Sequence, residues 1–109
     1  MWEIAFMAFS EFEQKVFSVC AKTPKGKITT YSELAKAIGK PKAARAVGNA
    51  LNKNRDPAVP CHRVVLASGK ISGFARGQHQ KEKLLKREGI RIEGNKIKNF
   101  ETIVYKFKK

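Results

Sequence analysis

Acidic residues are scarce in this chain. Nine Asp and Glu stand against 23 Lys and Arg in 109 residues, leaving a formal charge of +14. So large an excess disfavours cationic partners and favours a polyanion, because each phosphate that is neutralised releases condensed counterions. A lysine-rich thermophile surface, or a basic tail such as "YKFKK", would also raise the charge. Cysteine is equally sparse. Two residues, Cys20 and Cys61, do not make a secreted disulfide framework, and a reducing intracellular setting is expected. Two histidines and no C-x-x-C leave no zinc signature, so no metal and no cofactor are expected. There is no apolar run long enough to span a membrane, and "MWEIAFMAF" lacks the basic leader and cleavage site of a signal peptide. Repeats and low-complexity linkers are missing too, which points to one domain over residues 1–109.

What is present begins with capping signals. Ser10 and Glu13 form an S-x-x-E box ahead of Phe12, Val16, Phe17 and Cys20, which share one helical face. Cys20 is therefore expected in the core. Thr30 and Glu33 repeat the signal before Leu34, Ala35 and Ile38, with Gly39 as the stop. Pro41 is expected to open a further helix to about Asn52. Its apolar face is Ala43, Val47, Ala50 and Leu51, and Lys42, Arg45, Asn49 and Lys53 lie opposite. Two short helices across a Gly-Lys-Pro turn read as a helix-turn-helix. "RVVLASGKISG" reads as a hairpin turning at Ser68-Gly69, "QHQKEKLLKREG" as a helix ended by Gly89, and "IRIEGNKI" as a second small hairpin. The tail, residues 90–109, suits helix or strand beyond that hairpin. The expected fold is α+β, mainly α: a winged-helix-like domain with a helix-turn-helix and a small β-hairpin wing. On pattern alone, a DNA-binding winged helix presenting Arg45 and a generic α+β domain with a solvated basic face both stand.

The stretch "PCHRVV" places one cysteine beside one histidine. Adjacent Cys61 and His62, with Cys20 and His79 distant, do not make a metal-ligand set. Lone cysteines are often inert and buried. Against that, Cys61 follows the loop "DPAVP", and His62, Arg63 and the basic field all favour thiolate, the reactive form. Residue chemistry leaves the nucleophile and the inert thiol both open.

The ordered segments "TYSELAKAIGKPKAARAVGNAL", "PCHRVV" and "SGKISGFARG…KEKLLKREG" resemble the C-terminal domain of the O6-alkylguanine-DNA alkyltransferases, from about Phe12 to Gly89. The resemblance implies a partner, duplex DNA containing O6-alkylguanine, and a single-turnover transfer of the alkyl group to the protein's own cysteine. The target oxygen lies inside the base stack, so the nucleotide must be extruded. By this resemblance Cys61 is the acceptor. His62, facing away from Cys61 in an extended segment, acts through a water as base, and Glu88 orients it. Tyr31 assists the leaving guanine and crowds the phosphate. Arg45 replaces the extruded base in the stack, with Lys42 and Asn49 beside it on the DNA face. The carbonyls of Cys61 and Val64 select guanine, and Phe74 and Ala75 complete the base pocket.

Three departures from the family pattern stand out. Its usual N-terminal domain is expected to be missing, residues 1–9 being at most a remnant. The stretch before "PCHR" is one residue short, which leaves Asn54 or Asn52 for the structural asparagine; Asn54 is favoured. "GFARG" puts Phe74 and Ala75 where tyrosine and a polar residue are usual, though the Ala75 N–H remains to serve O6. The expected protein is an intracellular, monomeric methyltransferase. The alternative is an alkyltransferase-like module that flags the lesion without transfer, although such modules commonly replace the cysteine. A winged-helix regulator would leave "PCHRV" unexplained.

Overall fold

The computed structural model describes residues 8–56, 58–71 and 77–107, with nothing further on the side chain of Gln78. Helix α1 spans Glu11–Cys20. The Ser10 hydroxyl accepts from the Glu13 N–H at 3.1 Å, and the Glu13 carboxylate accepts from the Ser10 N–H at 3.0 Å, so the expected capping box is complete. Glu13 also pairs with Lys53 at 2.6 Å, tying α1 to the segment beyond the third helix. Val16, Phe17 and Cys20 are buried.

Strand β1, Thr29–Thr30, runs directly into α2, Tyr31–Ala37. The Thr30 hydroxyl takes the Glu33 N–H at 3.0 Å, while the Glu33 carboxylate turns to Lys36. The helix ends as expected: Gly39 N–H reaches the Lys36 carbonyl, and Lys40 N–H reaches the Ala35 carbonyl. Helix α3, Ala44–Leu51, starts later than the sequence suggests. Pro41 and Lys42 sit in a turn closed by Ala43 N–H on the Lys40 carbonyl, so Pro41 sets a turn and not a first helical residue. The buried face is Val47, Ala50 and Leu51, and Lys42, Arg45 and Asn49 are exposed.

The other half of the domain departs from the expected wing. A 3-10 turn, Cys61–Arg63, leads into β2, Val64–Val65. This strand pairs in parallel with β1, Thr29 opposite Val64 and Thr30 opposite Val65, and among the described residues it has no antiparallel ladder. Apolar Val64 and Val65 are both fully buried, and a central position between β1 and the core satisfies them better than a solvated wing. The expected Ser68-Gly69 turn is present as a tight reversal, Leu66 N–H to Lys70 carbonyl at 3.0 Å. Gly69 has φ +85°, and a Cβ there would come within 3.1 Å of the Phe100 ring, so any side chain here would be strained. The wing hairpin is the second one, β3 (Ile92–Glu93) against β4 (Lys96–Ile97).

Helix α4, Gln78–Arg87, ends where the sequence places it. In the tail, α5 covers Phe100–Ile103, after which Val104 bridges Ile28 in parallel. Both readings of the tail are thus realised in succession. Two apolar clusters result. One gathers α1, α2, α3 and the Cys61 turn around Phe17, Leu34 and Val47. The other holds Ile28, Val65, Ile71, Leu85, Ile90 and Ile97 under the hairpin. A fully buried side chain such as Phe17 anchors the first, and its truncation to alanine costs about 3–5 kcal/mol. No helix among the described residues is long and apolar enough to cross a membrane.

Candidate active site

The Cys61–Arg63 turn is the centre of the site. Pro60 and the Asp56–Val59 turn precede it, and Arg63 N–H closes it on the Pro60 carbonyl at 3.0 Å. The sequence suggested an extended segment with Cys61 and His62 on opposite faces. The 3-10 turn changes this: successive side chains fan around a tight axis, so Cys61 points into the first cluster while His62 and Arg63 turn toward α4.

Glu88 caps the end of α4. Gly89, at φ +86°, takes the left-handed position, and the N–H groups of Gly89 and Ile90 reach the carbonyls of Lys86 and Leu85. Leu85 and Ile90 pack together in the second cluster, which completes the cap. This fixes where the Glu88 carboxylate points. Its Oε2 lies 2.9 Å from His62 Nε2 and 2.7 Å from an Arg63 terminal nitrogen, and its Oε1 accepts from Arg63 Nε at 2.9 Å. Arg63 also donates to the Thr23 carbonyl at 2.7 Å. The carboxylate is therefore gripped by a planar fork, and the imidazole leans on what the fork holds.

Electrostatics follow from these contacts. Burial raises the Glu88 carboxyl, but the Arg63 and His62 bonds outweigh it and hold the group below its ordinary range. Burial pushes the His62 imidazole down, and Glu88 only partly opposes this. At neutral pH the pair is thus a carboxylate and a neutral imidazole. With Nε2–H donating to Glu88, Nδ1 is left as the basic nitrogen.

Cys61 is almost wholly buried, 8% exposed. Asn54 Nδ2 donates to its sulfur at 3.2 Å and to the Asp56 carbonyl at 3.0 Å, while the Asn54 Oδ1 accepts from the Asp56 N–H. Asn54 so ties the loop to the thiol; Asn52 is exposed and offers its carbonyl to Arg55. Val64 is buried, and its N–H is already given to the Cys61 carbonyl. Tyr31, half-buried at the start of α2, lies against Gly48 of α3, where an added Cβ would meet its ring at 3.7 Å. Arg45, Lys42 and Asn49 stand apart on the exposed side of α3 and its turn. Phe74 and Ala75 lie outside the described residues, as do residues 1–7.

Three neighbours escaped the sequence reading. Arg63 was visible in "PCHR" but passed for the start of a strand. Cys20 was expected in the core, and is there, in the same buried cluster as Cys61. Lys81 is the third: fully buried, with Nζ 5.8 Å from the Tyr31 ring centroid. Burial lowers its pKa to about 8, against the pull of the two thiols. Spacing could have revealed it, since 81, 85 and 88 share the helical face that carries Leu85 and Glu88. The Cys61 thiol is held down first by Cys20 and then, against burial, by Asn54 and Lys81.

A family description, 6-O-methylguanine DNA methyltransferase, DNA binding domain, matches residues 11–90. The methylated-DNA–protein-cysteine methyltransferase of Methanosarcina acetivorans is 51% identical over 83 residues, covering 73% of this chain and 52% of that protein. The bifunctional transcriptional activator/DNA repair enzyme Ada of Escherichia coli is 45% identical over 78 residues, 71% of this chain and 22% of its own length. Among solved structures, S. pombe Atl1 in complex with damaged DNA containing O6-carboxymethylguanine matches with a TM-score of 0.81 at 32% identity, over 90% of this chain and 97% of that one. Mycobacterium tuberculosis OGT in complex with DNA gives 0.71 at 43% identity, over 73% and 50%. The chain spans about half the length of the methyltransferases it matches first. With the family description covering most of the chain and the buried Cys61 set beside a paired His62 and Glu88, this protein belongs to the family of the 6-O-methylguanine DNA methyltransferase DNA-binding domain.

Proposed function

We propose that the protein extrudes O6-alkylguanine from duplex DNA and transfers the alkyl group irreversibly to Cys61, one event per molecule. The observation that carries this reading is the turn that sets an ionisable Cys61 thiol beside a neutral His62 fixed by Glu88 at 2.9 Å. In the step itself, the Cys61 sulfur attacks the alkyl carbon, the S–C bond forms and the C–O6 bond breaks. The thiol proton leaves through a water to His62 Nδ1, and a proton returns to the guanine leaving group with help from the Tyr31 hydroxyl. Glu88 keeps Nε2 protonated, so Nδ1 is the nitrogen that receives. No metal and no cofactor enter. The family resemblance assigns Phe74 and Ala75 to the base pocket and the carbonyls of Cys61 and Val64 to the selection of guanine.

Binding is assigned to the other face. Arg45 enters the stack in place of the extruded base, and Lys42 and Asn49 hold the backbone, the contacts that position without reading sequence. The protein works inside the cell, where its substrate is, as a monomer. The likeness to Atl1, which extends over nearly all of that chain, supports a second reading as a lesion-binding module without transfer. Mixing the protein with excess duplex carrying one O6-methylguanine separates the two. Transfer adds one methyl group to the intact mass, confined to the Cys61 peptide; tight binding with unchanged mass leaves the module.

A further inference from the structure

Arg63 joins separate parts of the domain through a single side chain. Its Nε donates to Glu88 Oε1 at 2.9 Å and its Nη2 to Oε2 at 2.7 Å, so the guanidinium spans both oxygens of the carboxylate at the end of α4. Its Nη1 donates to the Thr23 carbonyl at 2.7 Å, which anchors the fork to the segment between α1 and β1. His62 Nε2 shares Oε2, at 2.9 Å. The cluster is shielded from water: His62 is 13% exposed, Arg63 15% and Glu88 11%. A planar fork matches a carboxylate in spacing and direction, which an ammonium does not. The consequence for the imidazole follows from counting donors. An ionised carboxylate only accepts, and a guanidinium only donates. With Arg63 on both oxygens Glu88 stays ionised, so Nε2 carries the hydrogen and Nδ1 keeps its lone pair. The charges acting on His62 are Glu88 and Lys81 from α4 and Arg63 from its own turn, where the Cys61 thiol is its neighbour. Burial disfavours a second proton on the ring; Glu88 favours one, and Arg63 and then Lys81 oppose it.

We propose that Arg63 is a positioning residue for alkyl transfer: by holding both oxygens of Glu88 it fixes the tautomer of His62, and so the nitrogen that takes the Cys61 proton. The inference rests on the alkyl-transfer reading of Cys61. Arg63 exchanges no proton in the step; the thiol proton passes to Nδ1 while the Cys61 lone pair passes to the alkyl carbon. Without the fork the carboxylate is free to turn, and its charge falls to His62 alone. The ring then takes a second proton more readily, and an imidazolium has no lone pair left to accept the thiol proton.

The test follows the ring nitrogens of His62 by NMR across pH in the full chain without DNA, with His79→Gln leaving a single imidazole. Single-turnover transfer rates are measured beside it, on methylated duplex and on free O6-methylguanine. The wild type shows the Nε2–H form. Arg63→Met raises the titration midpoint of the ring and mixes the tautomers. Arg63→Lys, which keeps the charge and loses the fork, leaves the midpoint nearer the wild type but still mixes them. Transfer by Arg63→Met slows equally on both substrates, most of all below neutral pH, and by no more than the roughly 100-fold of a displaced general base. Combined with Glu88→Gln, which removes the unpaired buried carboxylate, Arg63→Met adds less than about twofold to the loss of Glu88→Gln alone, because both act through one contact. That double variant and Arg63→Lys decide the matter if Arg63→Met alone does not fold. An undisturbed Nε2–H form in Arg63→Lys overturns the proposal. So does a double variant that shows the two losses multiplied, the mark of a packing role. A deficit confined to duplex also overturns it, since Arg63 is then a DNA contact. If the tautomer responds as described yet Cys61 never takes a methyl group, the transfer reading fails and the control of His62 by Arg63 stands.

Discussion

The α3 face and the Cys61 turn share one small domain but are built on opposite terms. On α3 the side chains proposed to meet DNA, Arg45 and Asn49, are exposed, and the helix holds them in place through the buried stripe Val47, Ala50 and Leu51 on its other side. At the turn every functional group is held by another: Asn54 by Cys61 and Asp56, His62 by Glu88, and Glu88 by Arg63, which also reaches Thr23. A surface meant to meet a phosphate backbone needs positive charge and freedom to adjust. A nucleophile needs one protonation state and one direction. Changes on the first face should therefore act singly and mildly, and changes at the second should propagate.

The sharpest test is Cys61→Ala. We expect alkyl transfer to vanish while affinity for duplex DNA persists, measured by intact mass and by titration of labelled duplex. Loss of DNA affinity in a folded Cys61→Ala protein would join two regions that the structure keeps apart. Next comes Glu88→Gln, which leaves the imidazole without its anchoring charge and the Arg63 fork without a counter-ion. Transfer should slow on the order of 100-fold, the scale of a displaced general base, on duplex lesion and on free O6-alkylguanine alike.

The same groups govern stability in acid. His62 and Glu88 both have folded values below their ordinary 6.5 and 4.5, so the unfolded chain binds more protons as pH falls. Their contribution is present above those values and is lost first below 6.5, through His62, and then below 4.5 as pH drops through the folded value of Glu88. Denaturant midpoints measured across that window should fall with acidification, and in Glu88→Gln the part due to Glu88 should be lost while the part due to His62 grows, since Glu88 no longer opposes the effect of burial. Smaller still is Arg45→Ala. It should slow repair of a duplex lesion about tenfold, the range of a contact worth about 1.4 kcal/mol, and leave the free base untouched. Equal losses on both substrates would mean that Arg45 supports the thiol. The mildest change is Lys42→Ala, which should weaken binding severalfold and reduce the slope of log affinity against log salt by about one.

The two regions were also unequally legible in the sequence. Ser10 with Glu13, Thr30 with its Glu33 N–H, and Gly39 announced α1 and α2 because capping is local chemistry written in adjacent residues. The start of α3 was misjudged because Pro41 serves equally well in a turn as at a first helical position. The parallel β1–β2 pairing was invisible, since nothing near Val64 names Thr29 as its partner. At the site, resemblance supplied Cys61, His62, Glu88 and Asn54, and the structure brings them together. The Arg63 fork and the meeting of Cys20 and Cys61 in one cluster needed three dimensions, for they join distant parts of the chain whose order says nothing of their distance, whereas Lys81 shares a helical spacing with Leu85 and Glu88.

The β1 segment has one more consequence, for how the molecule assembles. Ile28 is bridged by Val104 and Thr29 is paired with Val64, while the Thr29 hydroxyl donates to the Tyr105 carbonyl at 3.0 Å, 76 positions away along the chain. Loops of that span close slowly, because chain entropy must be lost before the contact rewards it. Helices α1 to α3, built from neighbouring residues, can collapse on their own. The Cys61 turn leads into β2, which reaches its place only when it docks on β1. Sequence separation thus predicts that the helix-turn-helix surface forms before the segment that carries Cys61 is docked.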